Sequence, residues 1–258
     1  MSLKLIPDQP LPAPAVGHVA TNSLLAALAV TDLAELAPYL SAVTLGAAVV
    51  LCEADEPMRT VYFPLTSVVS VMSCVAGSAV EFGTVGSEGM IGLPVLVGDS
   101  VAGMRAVVQV GGEAMQCDAE SFRRIFDRSD SLQQITRRYA HALTLQAMQS
   151  TACTSTHRVD QRCARWLLMT ADRTGSNRIE VTHEFIAEML NVRRAGVTSA
   201  LRGLQSQSAV RCGRGAVTIS NRVALESASC ECYAIVSAAF ERLLGPAHVS
   251  TPAFNHVA

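Results

Sequence analysis

From Thr182 to Leu204 the chain reads THEFIAEMLNVRRAGVTSALRGL, and its apolar positions recur three and four residues apart in two short sets. Ile186, Met189 and Leu190 share one face of a first helix that Thr182 can N-cap, and Asn191 stands where the chain must turn through the left-handed region. A second helix follows, with Val197, Ala200, Leu201 and Leu204 as its inward stripe. Arg194, Ala195, Thr198, Ser199 and Arg202 are then left pointing outward together. In a helix-turn-helix the start of the second helix enters the major groove, where Arg reads guanine through two hydrogen bonds and Ser or Thr serve several bases. Ala209 to Ile219 adds two short apolar runs around Gly213-Arg214-Gly215, the pattern of a β-hairpin. Together they predict a winged helix. The alternative is an ordinary two-helix corner with a surface hairpin, and the hairpin and the local charge weigh against it.

Other stretches have other periods. Asn22 or Ser23 can cap a helix through LLAALAVTDLAELAPYL, closed near Pro38. From about Val43 to Cys117 the chain turns rich in Val, Gly, Ser and Thr. Apolar runs at Val49–Leu51, Arg59–Phe63, Ser67–Val75, Ala79–Val85 and Arg105–Val110 are separated by turn signals at 55–57, Ala76-Gly77, 86–89 and Gly111-Gly112. That rhythm predicts an antiparallel sandwich or jelly roll. Between Gly112 and Gly175 there is neither Gly nor Pro. Leu132, Ile135, Tyr139, Ala142 and Leu143 mark one helical stripe there, and Val159, Cys163, Trp166, Leu167 and Thr170 another, with Thr154-Ser155-Thr156-His157 as the hinge between them. The first of these helices, near 129–155, has small residues at many positions and no sustained heptad. It is read as a dimer helix, with packing onto the chain's own β domain as the alternative.

Charge divides the molecule along the same lines. The 258 residues carry a net charge of −2, but residues 1–128 hold 6 Lys and Arg against 13 Asp and Glu, whereas 178–222 hold 7 Arg against 3 Glu. Only the second block suits phosphates. The N-terminus, with prolines at 7, 10, 12 and 14, lacks the apolar core of a signal peptide, so a cytoplasmic protein is expected. Thr60 to Val80 is uncharged, but Pro64, Gly77 and its serines and threonines argue against a membrane span. The eight cysteines and six histidines show no C-x-x-C or zinc-finger spacing, and no metal site is expected from them. Cys230-Glu231-Cys232, with Cys212, is the nearest approach to a metal or redox motif; plain thiols are the preferred reading.

An acidic β-roll, a long helix and a winged helix resemble the Crp/Fnr family of bacterial transcription regulators. The likeness is carried by Val181 to Leu204 and the hairpin, and by TVYFPLTSVVS and VGSEGMIGLPVL in the roll. It implies an α+β fold: an N-terminal β jelly roll of the cyclic-nucleotide-binding kind at 20–125 behind a tail at 1–19, a dimerisation helix at 126–158, a winged helix-turn-helix at 159–235 and an extension at 236–258. By position, Thr182 and His183 match the family's phosphate-contacting helix start, and Arg194 its guanine-reading arginine. Ala195 stands where a cytosine-reading glutamate is common, and Ser199 where a second arginine often stands. Arg193, Arg202 and Arg214 are placed to meet phosphates. The partners implied are double-stranded DNA, a second copy of the chain and RNA polymerase.

The nucleotide cassette departs from that pattern. The family's Gly-Glu, which holds the ribose hydroxyl, is here Gly92-Leu93, and its phosphate-holding Arg-Ser or Arg-Thr is Arg105-Ala106, two residues further along than the spacing would put it. No cysteine precedes Cys52, so the N-terminal cysteine set of iron–sulfur members is missing too. No cofactor is indicated, cyclic AMP is not expected to be the switch, and the effector is left open. As for other functions, Gly86-Ser87-Glu88-Gly89 lacks a nucleophile elbow, and Gly83, Gly86 and Gly89 do not open a helix after a Rossmann strand, which argues against an enzyme. A sensor module whose winged helix grips a partner protein instead of DNA is the rival reading.

Overall fold

Short Val-rich runs with turn residues between them fold as seven strands, which the computed structural model describes within residues 20–75, 78–99 and 101–245. They are β1 (Ser41–Leu45), β2 (Val50–Cys52), β3 (Thr60–Pro64), β4 (Val68–Val75), β5 (Ser78–Val85), β6 (Arg105–Val110) and β7 (Gly112–Asp118). They form two antiparallel sheets, in orders β1-β7-β3 and β2-β6-β4-β5. Val61, Phe63, Val69, Val71, Val85, Val108 and Met115 supply one buried cluster. Two strands were not singled out by pattern: β1 has mostly half-buried residues, and β7 begins within the Gly111-Gly112 pair that reads as a turn. The expected turn Ala76-Gly77 and the tail at 1–19 lie outside the described residues.

The helix expected after Asn22 is two helices, α1 (Ser23–Ala26) and α2 (Val30–Leu36), followed by a 3-10 turn at Ala37–Tyr39. Asn22 does cap α1, its side chain accepting from the Leu24 and Leu25 amides, but it is fully buried and also donates to the Pro64 and Gly89 carbonyls at 2.9 Å. Those bonds fix the first turn to the roll, and the chain breaks at an extended Ala29 before α2 starts. Two further short helices, α3 (Leu93–Leu96) and α4 (Ala119–Phe126), flank the roll.

The long helix α5 (Asp130–Thr156) is capped by Ser129, whose hydroxyl accepts from the Leu132 amide at 3.0 Å. Its stripe of Leu132, Ile135, Tyr139, Ala142 and Leu143 is buried against the chain's own roll. Tyr139 Oη donates to the Met90 carbonyl at 3.0 Å, and a Cβ at Gly89 would come within 2.6 Å of the ring, so this contact requires glycine. The opposite face, including Arg138, His141, Thr144, Met148 and Ala152, is exposed. The helix therefore serves its own roll with one side and leaves the other free. The hinge falls at the end of the expected patch: Thr154 to Thr156 stay helical, and the break is at His157-Arg158.

α6 (Val159–Thr174) opens the C-terminal half and buries Cys163, Trp166, Leu167 and Thr170. It is joined to the roll by a buried ion pair, Arg173 Nε to Glu88 Oε1 at 2.8 Å. Beside it Glu81 has its Oε2 enclosed and outside hydrogen-bonding geometry, and burial pushes its pKa up to about 7 against the opposing pull of Ser70, Arg165 and Arg173. The last described helix, Cys232–Leu244, crosses the division expected at 235/236, because its Val236 and Phe240 join the buried cluster of the roll. No single helix among the described residues is long and apolar enough to cross a membrane.

Candidate nucleic-acid interface

The segment with the two-set apolar pattern forms α7 (His183–Met189) and α8 (Arg194–Ser206). Thr182 caps α7, its Oγ1 accepting from the Phe185 amide at 3.2 Å. Asn191 takes φ +49 at the turn, as a residue tolerant of the left-handed region should. Arg162 of α6 donates to the Leu190 carbonyl, an acceptor left over where α7 ends, and so fixes the turn from beneath. Val197, Ala200, Leu201 and Leu204 are the buried residues of α8, as their spacing predicts.

The hairpin is β9 (Val210–Gly213) and β10 (Ala216–Ile219), with Arg214-Gly215 between the paired Gly213 and Ala216 and Gly215 at φ +69. A third strand not seen in the sequence, β8 (Arg178–Glu180), pairs with β10 and completes the wing. α9 (Arg222–Ala228) follows, and the helix Cys232–Leu244 is α10.

Of the seven arginines in this block, two are taken by internal carboxylates: Arg178 by Glu180 at 2.7 Å, and Arg222, largely enclosed, by Asp172 at 2.7 Å with Tyr233 Oη beside it. Arg193, Arg194, Arg202 and Arg214 are exposed, with Ala195 and Ser199 on the same helix as Arg194 and Arg202. Arg194 Nε lies 3.6 Å from Glu184 Oε2, but both side chains are more than two-thirds exposed, so the pair is weak and a base edge can replace it. Thr198 departs from the expected outward set: it is half-buried and its Oγ1 lies 3.1 Å from His183 Nδ1. That contact locks the start of α7 onto α8 and leaves Thr198 less free to meet a base. Arg211, exposed on β9, is a cation the sequence reading passed over; its place in the wing was the signal.

Residues 161–228 match the Crp-like helix-turn-helix domain. The chain carries a Crp-like helix-turn-helix. Its overall fold is that of solved Crp/Fnr structures. A Eubacterium rectale protein assigned as a Crp/Fnr transcriptional regulator superposes with a TM-score of 0.61 at 17% identity, over 79% of this chain and 96% of that one. FixK2 from Bradyrhizobium japonicum gives 0.61 at 15%, over 74% and 98%. A CRP-family transcriptional regulator from Thermus thermophilus gives 0.56 at 20%, over 72% and 96%. A search of curated proteins returns no match. The helix-turn-helix match and the shared fold support a DNA-binding transcription regulator.

In the roll of this Crp-like chain the four cassette positions do not converge on a polar pocket. Gly92, at φ +145, starts α3 where a Cβ would meet Val61 at 2.8 Å, and Leu93 faces an open cavity of about 700 Å³ between the roll and α5. Its lining is mostly apolar, including Phe82, Leu96, Met104, Phe126 and Leu143. Arg105 Nε is held by Glu53 Oε2 at 3.1 Å, and Ala106 is fully buried in the sheet.

The cysteines regroup across the fold, contrary to the expectation of no metal-ligand set. Cys212 packs in the winged-helix cluster and away from Cys230-Glu231-Cys232. Cys230 and Cys232 instead meet Cys153 and His157 from the end of α5, with all four donor atoms within 4.8 Å of one another. Spacing alone hid this, because the two pairs are 77 residues apart.

Proposed function

We propose that the protein is a homodimeric, sequence-specific regulator in which α8 reads the major groove and cyclic AMP is not the switch. The observation that carries this is the exposed row Arg194, Ala195, Ser199 and Arg202 on a helix whose other side is wholly buried. Arg194 reads a guanine, while Arg193, Arg202 and Arg214, with Thr182 and His183 at the start of α7, meet phosphates. With Ala195 in place of a cytosine-reading carboxylate, the half-site differs from the best-known family site. The exposed face of α5 pairs with a second copy, which supports a pseudo-palindromic operator with half-sites roughly 34 Å apart. The protein works in the cytoplasm, with RNA polymerase as its further partner.

The roll supports the negative half of the proposal. Leu93 cannot accept the ribose hydroxyl bonds a glutamate would, Ala106 offers no side-chain donor, and Arg105 already has a carboxylate partner. Selection of the preferred site from a random DNA pool tests the reading. Enrichment of a two-fold site with a guanine in each half supports it. A pool that returns no sequence, together with a stable protein complex formed through α8, would sink it in favour of a protein-binding winged helix.

A further inference from the structure

Cys153 lies in the last turn of α5 and His157, four residues on, is its C-cap, with its amide donating to the Cys153 carbonyl at 3.0 Å. Cys230 and Cys232 bracket the bend between α9 and α10. The fold brings the pairs together with Cys153 Sγ 3.5 Å from Cys230 Sγ and Cys232 Sγ 3.5 Å from His157 Nδ1. The three cysteines are buried, and His157 is mostly covered.

We infer that Cys153, His157, Cys230 and Cys232 form a closed four-coordinate site for one zinc-class ion. This rests on the donors alone and not on the DNA-binding reading. Zn–S bonds of about 2.3 Å and a Zn–N bond of about 2.0 Å at tetrahedral angles put donor atoms roughly 3.5–3.8 Å apart, which the two measured separations already approach. Three thiolates and an imidazole select a soft or borderline ion over magnesium or calcium. An iron–sulfur cluster spans several atoms and needs its ligands farther apart than 4.8 Å allows.

The surroundings fit the same ligand. His157 turns Nδ1 toward the cysteines while Nε2 lies 3.3 Å from Glu231 Oε2, the carboxylate–histidine arrangement that fixes a ligating imidazole. Gln149 Nε2 donates to Cys232 Sγ at 3.1 Å, as a thiolate would require. Binding releases the thiol protons and leaves three thiolates and a dication with a net charge of −1. Arg162 and Arg165 stand within electrostatic reach of Cys153, and Arg165 Nε and Nη1 are enclosed without a hydrogen-bond partner. Either guanidinium is enough to offset that charge. The ion would tie the end of α5 to the chain leaving the winged helix, directly across the His157-Arg158 hinge.

The test is elemental analysis of the full chain purified under reducing conditions, followed by cobalt(II) loading of the stripped protein. The expected result is one zinc per chain, and for cobalt the intense visible bands and thiolate charge transfer of a tetrahedral site. Cys230→Ser should abolish stoichiometric binding. Glu231→Gln, at an exposed position that leaves folding intact, should keep the site but weaken zinc affinity about 10–100-fold in competition with a chelating dye. Absence of metal with a Cys153–Cys230 disulfide on mass spectrometry would overturn the inference, as would iron with inorganic sulfide, or zinc content unchanged in Cys230→Ser.

Discussion

The winged helix and the β-roll both carry arginines, but they treat the charge in opposite ways. On the winged helix Arg193, Arg202 and Arg214 are exposed and have no ion pair among the described residues, and the one contact to Arg194 is a loose, solvated one. In the roll Arg105 is three-quarters covered and held by Glu53, with Leu93 lining a mostly apolar cavity and Ala106 buried in the sheet. A guanidinium left in water can exchange solvent for a phosphate or a base edge at small cost, whereas one already paired with a carboxylate must first give up that partner.

The contrast can be broken most severely from inside the DNA-reading half. Leu201→Ala removes a fully buried side chain that carries α8 and should cost about 2–5 kcal/mol, read by urea unfolding. Operator binding should fall with it, and a variant as stable as wild type would show that α8 is not packed as described. Arg194→Ala acts on the surface. It should cost about 1–3 kcal/mol on the preferred site and relax the choice at one guanine per half-site, measured on a panel of mutated operators. An unchanged base preference would remove Arg194 from base reading.

Smaller effects sharpen the picture. Arg214→Ala should weaken specific and non-specific DNA alike and reduce the slope of log K against log salt by about 1. Binding isotherms at several salt concentrations decide it, and a change in base preference would count against a phosphate role. Glu81→Gln probes the seam between the two regions. Its folded pKa, raised to about 7 by burial, lies above the ordinary 4.5, so its contribution to stability is present below about 4.5 and is lost as pH rises through 7. Wild type and Glu81→Gln should therefore match in thermal midpoint near pH 4.5 and separate in favour of the variant above 7. Parallel melting curves across that range would contradict the burial argument.

Much of the winged helix was legible because its signals are local. The Thr182 cap, the Asn191 turn and the four-residue stripe of α8 each rest on residues within a turn or two of one another, and all three appear as read. What escaped depends on distant parts of the chain. Thr198 meets His183, fifteen residues away; β8 exists through its pairing with β10; and Asn22, the cap of α1, is anchored to Pro64 and Gly89. The four-donor cluster is the extreme case, with two unremarkable spacings made into a constellation by the packing of α10 on α5.

The proposal that α8 reads DNA without a cyclic-AMP switch is tested most directly by titrating the selected operator with the pure protein, with and without saturating cyclic AMP. Full affinity is expected in both cases, with no heat when the nucleotide alone is added in a calorimeter. Micromolar nucleotide binding coupled to a gain in operator affinity would contradict it.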